Sequence, residues 1–418
     1  MRYIYSFFMY LLTPWLLFRL WWKGRKIPAY RERIGERFWA GMPPVPDIDV
    51  WVHAVSLGEV IAVTPLVNEM LAKNWRLLIT TMTPTGAEQV KTKFGDKVQH
   101  RYIPYDLPDV LQRFFVSVKP RAGVIVETEL WPNLIHYANA AKIPLMLINA
   151  RLSDRSCKGY QKIKWLIQPV INQFTWILAQ SADDGKRFQQ LGAREGLVQT
   201  IGNMKFDLQT KDINRDLFLQ LKAAWGQDRP VVIVASTHDN EEEQILGQLA
   251  RLQAAIPNVV TLFAPRHPER FQKVYALAQQ AGFKTGLRSK PETLSSESDV
   301  VILDSMGELL GFYQISDYAF VGGSFVPIGG HNVLEPIAMN APVFSGPEVH
   351  NFKTICRDLL EADAMIIVQS ASELVDKIIA LHADEPEKKK LVSNASEVLK
   401  ANKGAVARYL AVVETFVD

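Results

Sequence analysis

The chain has 418 residues, 48% of them hydrophobic and 22% charged, which gives apolar material for two or three packed domains and excludes a disordered polymer. Its 47 Lys and Arg against 44 Asp and Glu leave a net charge of +3, too small for a nucleic-acid-binding surface, so no nucleic-acid partner is expected. The two cysteines, Cys157 and Cys356, supply neither a disulfide framework nor a four-thiolate zinc site and point to a reducing compartment.

Tyr3 to Trp22 is mainly apolar, interrupted by Ser6, Thr13, Pro14 and Arg19. As a helix it is about 30 Å long, one hydrocarbon core. No small-residue cleavage site follows, so the segment (residues 1–26) is expected to stay on the protein. Lys23, Arg25 and Lys26 place the flank, and the body behind it, on the cytoplasmic side. Two readings stay open: a membrane-spanning anchor, or a helix lying in the interface. Pro14 and Arg19 sit awkwardly at mid-bilayer, whereas Trp and Tyr favour the headgroup level. A buried soluble helix is the bland alternative. Residues 1–45 hold eight cations against Glu32 and Glu36, so this head is net +6 and the remainder net −3. The run Lys23–Arg37 is expected either against anionic headgroups or as a solvated helix face.

From Asp47 on, β-branched runs alternate with amphipathic helical stretches. Strands are predicted at 49–56, 76–83, 100–106, 122–129, 144–151 and 175–181, and after a break near 204–212 at 230–237, 258–266, 299–305, 317–324, 341–347 and 364–370. Apolar strands separated by helices imply parallel sheets covered on both faces. The fold class is therefore α/β: two doubly wound, Rossmann-like domains, 27–206 and 207–390, followed by a C-terminal helix at 391–418. Ligands of such domains bind at the carboxyl ends of the strands, so the site is expected in the cleft between the two.

In the first half the acids stand at strand ends. Glu59 follows the first body strand, and Ser56-Leu57-Gly58-Glu59 is an S-x-x-E capping box, so Glu59 is either a helix cap or a general base. Glu127 and Glu129 are two apart on an extended chain and are expected to face one side. Lys205 stands near the linker, within reach of an anion. In the second half, Arg266 and His267 end a strand where an Arg suits phosphate. Met306, Gly307 and Glu308 occupy another strand-to-helix junction. A loop with Gly322, Gly323, Gly329 and Gly330 leads to a helix expected near Asn332, a pattern that suits a phosphate at backbone amides. Glu335 then either accepts from ribose hydroxyls or merely complements the helix dipole. The eight histidines show no metal-ligand spacing, and Asp47-Ile48-Asp49 reads as a loop, so neither a metal nor a cofactor is expected.

HAVSLGE (53–59), TMTPTGAE (81–88), YDLPD (105–109), ETELWPNLI (127–135), NARLSDRS (149–156), GNMKFD (202–207), ASTH followed by Glu241–Glu243, PRHPERF (265–271), SMGEL (305–309) and GGSF–GGHNVLEPIA (322–338) occur in order along nearly the whole chain. Together they resemble the Kdo transferase family of lipopolysaccharide synthesis, which transfers 3-deoxy-D-manno-octulosonic acid (Kdo). The resemblance implies a GT-B glycosyltransferase whose terminal helix crosses back to the first domain. It implies CMP-Kdo as donor, the lipid A precursor as acceptor, and work at the cytoplasmic face of the inner membrane, with inversion and without a metal. It further implies Glu59 as base, Glu127 and Lys205 as supports of the transition state, and Arg266, His267, Met306, Gly307, Glu308, Asn332, Val333, Leu334 and Glu335 as CMP contacts. A GT-B enzyme using another nucleotide sugar on a lipid acceptor, and a non-catalytic nucleotide-binding scaffold, are the rival readings.

Overall fold

The computed structural model describes residues 1–43, 45, 47–208 and 214–417. The chain divides into two compact units, Met1–Asp207 with Asn402–Asp418, and Leu208–Ala401. The linker expected at 204–212 lies partly outside the described residues; its described part includes a 3₁₀ turn, Met204–Phe206, that belongs to the first unit. Asp418, the end of the expected terminal helix, also lies outside them.

The first unit holds seven parallel strands: β1 Val50–His53, β2 Leu77–Thr81, β3 Gln99–Tyr102, β4 Ala122–Val126, β5 Leu145–Ala150, β6 Trp176–Ala179 and β7 Val198–Thr200, in the order β3-β2-β1-β4-β5-β6-β7. Both faces are covered, which is why the strands read as unbroken apolar runs. Val50, Val52, Val124 and Val126 point into one core; Trp51, Ile125 and Leu147 point into the other. The order reverses between β1 and β4, so the chain leaving these two neighbours diverges to opposite faces and opens a crevice at their carboxyl ends.

The second unit repeats the plan with β8 Val231–Thr237, β9 Val260–Pro265, β10 Thr285–Leu287, β11 Val300–Ile302, β12 Tyr318–Val321, β13 Val343–Ser345 and β14 Ile366–Ile367, ordered β10-β11-β9-β8-β12-β13-β14 and again all parallel. The turns after β9, β11 and β12 therefore emerge from one edge, around the reversal between β8 and β12. The sequence reading did not include β7 and β10. Each is a three-residue edge strand, too short to carry an apolar period.

The tail, readable from its sequence as one or two helices, forms two, Glu385–Asn402 and Ala405–Val417, with Gly404 at a left-handed φ of 83° between them. One stretch differs from expectation: the basic run Lys23–Arg37 is neither a solvated helix face nor wholly free for lipid. It coils as 3₁₀ turns at Pro28–Arg31 and Ile34–Phe38, and Glu36 accepts from the Tyr102 amide at the β3 edge (2.8 Å). Arg37 is buried, donating to the Met82 carbonyl (3.0 Å) with its guanidinium over the Tyr102 ring.

Ala405, Tyr409, Val413 and Val417, spaced four apart, form the apolar stripe by which the last helix packs on the first unit's core. Asp207 fastens its start, accepting from the Gly404 and Val406 amides at 2.6 Å each. Replacing this cap, Asp207→Ala, is expected to lower stability by about 1–2 kcal/mol and to speed hydrogen exchange over 405–417 ahead of the sheet. Unchanged exchange there would show that the apolar stripe alone holds the helix.

Candidate functional site

β1 ends at His53 and the chain turns into the helix Leu57–Ala72, placing Glu59 in its first turn. The carboxylate accepts from the Val55 amide through Oε2 (2.7 Å) and from the Ser56 hydroxyl through Oε1 (2.9 Å). Neither bond of a capping box forms, because the amide that Glu59 takes is that of Val55, one residue before the N-cap Ser56. Glu59 reaches back to the turn, but the Ser56 hydroxyl donates to Glu59 instead of accepting from the helix. Burial pushes the Glu59 carboxyl up to about 8; the Val55 amide opposes this, and the charges of Glu129 and Glu127 add to it.

Those two acids follow β4, the neighbour of β1. The premise of an extended chain fails here, because Glu127 takes a left-handed φ of 61° directly after the strand, with its amide donating to the Ile148 carbonyl (3.0 Å). A non-glycine residue held there stores local strain, a pattern that concentrates at functional sites. Both acids still bear on Glu59. Glu129 accepts from the Trp131 indole (2.6 Å), and burial with the Glu127 charge raises its carboxyl to about 7. Trp131 in turn packs edge-on against the buried His53.

Lys205 lies in the Met204–Phe206 turn, whose start is capped by Asn203 Oδ1 accepting from the Lys205 amide (3.0 Å). Asn149, at the end of β5 with a left-handed φ of 48°, accepts from the Met204 amide and so fixes the turn. Burial lowers the Lys205 ammonium, against the pull of Glu127 and with the push of Arg151. The first unit thus brings Glu59, Glu129, Glu127 and Lys205 into one electrostatic neighbourhood. The sequence offers no signal for Asn149 beyond its place in NARLSDRS (149–156), since a polar residue at a strand end gives no period to read.

In the second unit, Arg266, Met306, Gly307 and Glu308 line a cavity of about 160 Å³ with Ser236 and Ser305. Gly307 has a left-handed φ of 84°, leaving the turn after β11 open. Glu308 is held by Arg288 (2.9 Å) and by the Ser305 hydroxyl. His267 is exposed beside Arg266. Asn332 braces Glu335, its Nδ2 donating to Oε1 (3.1 Å) while its Oδ1 accepts from the Leu334 amide (3.1 Å). Burial raises the Glu335 carboxyl, opposed by Asn332 and by the Arg266 charge, so this acid lies in the field of Arg266. The side chains of Val333 and Leu334 are buried, which leaves only their backbone to meet a ligand.

The glycine loop is not the phosphate cradle its sequence suggests. The Gly323, Ser324 and Phe325 amides all donate to Glu241 (2.7, 3.0 and 2.9 Å), a fully buried carboxylate that also accepts from the His238 amide (2.9 Å). The following helix is Leu334–Ala338, five residues starting later than expected. Sequence spacing cannot tell an internal carboxylate from an external phosphate, because both satisfy the same amides.

Residues 30–208 match the family model described as 3-deoxy-D-manno-octulosonic-acid transferase (kdotransferase). The chain is 40% identical over its full length to a 3-deoxy-D-manno-octulosonic acid transferase of Haemophilus influenzae, covering 99% of that protein. It is 33% identical to the transferase of the same name from Bordetella pertussis, across 99% of both chains. Among solved structures, a glycosyltransferase from Rickettsia africae superposes with a TM-score of 0.56, covering 90% of this chain and all of that one at 12% identity. That likeness concerns the fold, which is GT-B.

Glu241→Gln removes one acceptor oxygen and turns an NH₂ toward amide donors. It is expected to destabilise the second unit by about 2–4 kcal/mol in chemical denaturation, the cost of stranding buried donors. A loss below about 0.5 kcal/mol would show that the loop does not depend on this carboxylate.

Proposed function

The chain belongs to the 3-deoxy-D-manno-octulosonic acid (Kdo) transferase family, and on that premise we propose that it moves Kdo from CMP-Kdo to a hydroxyl of the lipid A precursor, lipid IVA. The acceptor hydroxyl gives its proton to Glu59 as its oxygen attacks the anomeric carbon of Kdo. The bond from that carbon to the CMP phosphate breaks, the phosphate leaves with the bonding electrons, and the configuration inverts.

The observation that carries this reading is the state of Glu59. A carboxyl raised to about 8 is far more basic than an ordinary glutamate, and among the described residues two donors tie its oxygens. Lys205 and Glu127 form the cation–acid pair that we assign to supporting the transition state. Arg266 and His267 meet the charge growing on the phosphate, so the reading needs no metal. Met306, Gly307 and Glu308 shape the nucleotide cavity. Asn332 to Glu335 complete it, with Glu335 as an acceptor for ribose hydroxyls.

The N-terminal helix Arg2–Lys23 supports a place at the cytoplasmic face of the inner membrane. Ser6, Met9, Leu16 and Leu20 face the body, and Ser6 donates to Asn133 (3.0 Å). Phe7, Phe8, Leu11, Trp15, Phe18 and Trp22 stay exposed on the other side. A helix bonded along one flank to its own protein suits the interface plane better than a span surrounded by lipid.

Mass spectrometry of lipid IVA after incubation with the protein and freshly made CMP-Kdo should show a product heavier by one or more Kdo units. Glu59→Gln should lower transfer by about 10²–10⁴ while keeping CMP affinity. The wild-type rate should climb with pH and level above about 8, where Glu59 is ionised. Because the folded carboxyl holds its proton more tightly than the unfolded one, wild-type stability falls as pH rises from 4.5 through about 8, making Glu59→Gln the more stable protein at pH 9. Near-full transfer by folded Glu59→Gln would leave this residue only its bonds to Val55 and Ser56.

Replacing Phe8, Trp15 and Trp22 together with Ser should weaken binding to anionic phospholipid vesicles by more than about 100-fold, since each buried aromatic contributes roughly 1.5–3 kcal/mol. Sedimentation with vesicles reads this directly. Undiminished binding would move the membrane contact elsewhere.

A further inference from the structure

Two histidines with no role in the scheme above face each other at the strand-order reversal of the second unit. His238 follows β8 and His331 lies in the loop after β12, the strand beside it. Their Nε2 atoms are 2.8 Å apart and their rings parallel within 2°. The arrangement is built in. Glu241 binds the His238 amide together with the amides of the glycine loop. Gly323 leaves room for the His331 ring, which a β-carbon there would meet at 2.9 Å.

At that separation one hydrogen lies between the two nitrogens, donated by one ring and accepted by the other. The neutral pair has opposed tautomers, with one Nδ1 still able to take a proton. A second added proton would set two N–H groups head to head. The pair therefore has capacity for one extra proton and no more. Its charged or titratable neighbours are Arg266 and His267 after β9, Arg270 in the turn that follows, and Glu241 from the helix Glu241–Ala255. Burial is the first cause that holds His331 down to about 4, followed by its partner His238 and then by Arg266 and His267. Burial also lowers His238, opposed by Glu241 and helped by His267, Arg266 and Arg270, so without an anion the pair is neutral at pH 7.

An anion beside Arg266 and His267 reverses that field. We propose that His238 and His331 form a proton-linked anion site: when the phosphate of a nucleotide monophosphate binds, the pair takes up one proton. The inference rests on the nucleotide assignment made above and deepens it. During transfer the imidazolium then faces the phosphate as its bond to the sugar breaks. The proton either stays on the pair or passes to a phosphate oxygen, and the site returns to neutral when CMP and the proton depart.

Calorimetric titration of CMP into the full-length protein at pH 7.5, in buffers of different ionisation enthalpy, counts the protons bound. Wild type should take up close to one proton per CMP, and its affinity should fall up to about tenfold per pH unit above neutrality. The double variant His238→Gln with His331→Gln keeps side-chain amides near both Nε2 positions but leaves no imidazole there to take the proton, so uptake should vanish while CMP still binds. Cytidine, lacking the phosphate, should bind without uptake. Undiminished uptake in the double variant would place the proton on His267 or on the nucleotide itself and overturn the proposal, as would CMP binding to wild type with no linked proton. Failure of wild type to bind CMP at all would overturn the nucleotide assignment with it.

Discussion

The second unit is organised by a buried carboxylate in a ring of backbone amides. Glu241 accepts from His238, Gly323, Ser324 and Phe325, donors that belong to turns after two neighbouring strands. A fully buried charge persists only when its lone pairs are satisfied, and four charge-assisted bonds do so here. The turns after β8 and β12 are consequently one object. At Gly322 a β-carbon would stand 3.0 Å from Glu241 and from the backbone at Ser236 and Thr237, so any larger residue presses on this splice. The facing of His238 and His331, and the opening of the crevice toward Arg266, follow from that splice.

The first unit sets a glutamate in the same topological place and uses it differently. Glu59, like Glu241, opens the helix after the first strand of its sheet and reaches back to the turn. It gathers two donors instead of four and has two further acids in its field. Shortage of donors is what separates the roles. The saturated carboxylate is a fastening, whereas the unsaturated one retains lone pairs and an elevated affinity for a proton. Lys205 is shifted the opposite way by the same burial, so acid and ammonium are both moved toward neutrality. Groups brought closer in proton affinity exchange protons with less cost, which suits them to acid–base chemistry.

Most of the architecture was legible because a sheet buried on both faces writes itself as apolar runs such as VVIVAST and AGVIVETE, and because glycines and prolines punctuate them. Strands β7 and β10 were silent for lack of length. The positions of Glu59 in the first unit and of Arg266 and Met306–Glu308 in the second could be read from strand ends, since parallel order alone brings the strand ends of each sheet to one edge of that sheet. The partner of the glycine loop could not. Glu241 lies more than eighty residues upstream, and its three-acid run looks like ordinary dipole placement at a helix start. Glu127 misled for a related reason: alternation assumes an extended backbone, and a single left-handed residue cancels it.

The N-terminal helix is tied by polar contacts to the segment that carries two of the acids. Asp106 is buried and accepts from the Asn133 and Leu134 amides and from the Tyr5 hydroxyl; burial raises its carboxyl to about 6. Asn133 also receives Arg2 (3.1 Å) and Ser6 (3.0 Å) from the helix. It stands two residues beyond Trp131, the indole that holds Glu129 beside Glu59. The flank of the helix opposite Phe8, Trp15 and Trp22 is therefore joined by short polar links to the segment that carries Glu127 and Glu129, the two acids whose charges add to the effect of burial on Glu59.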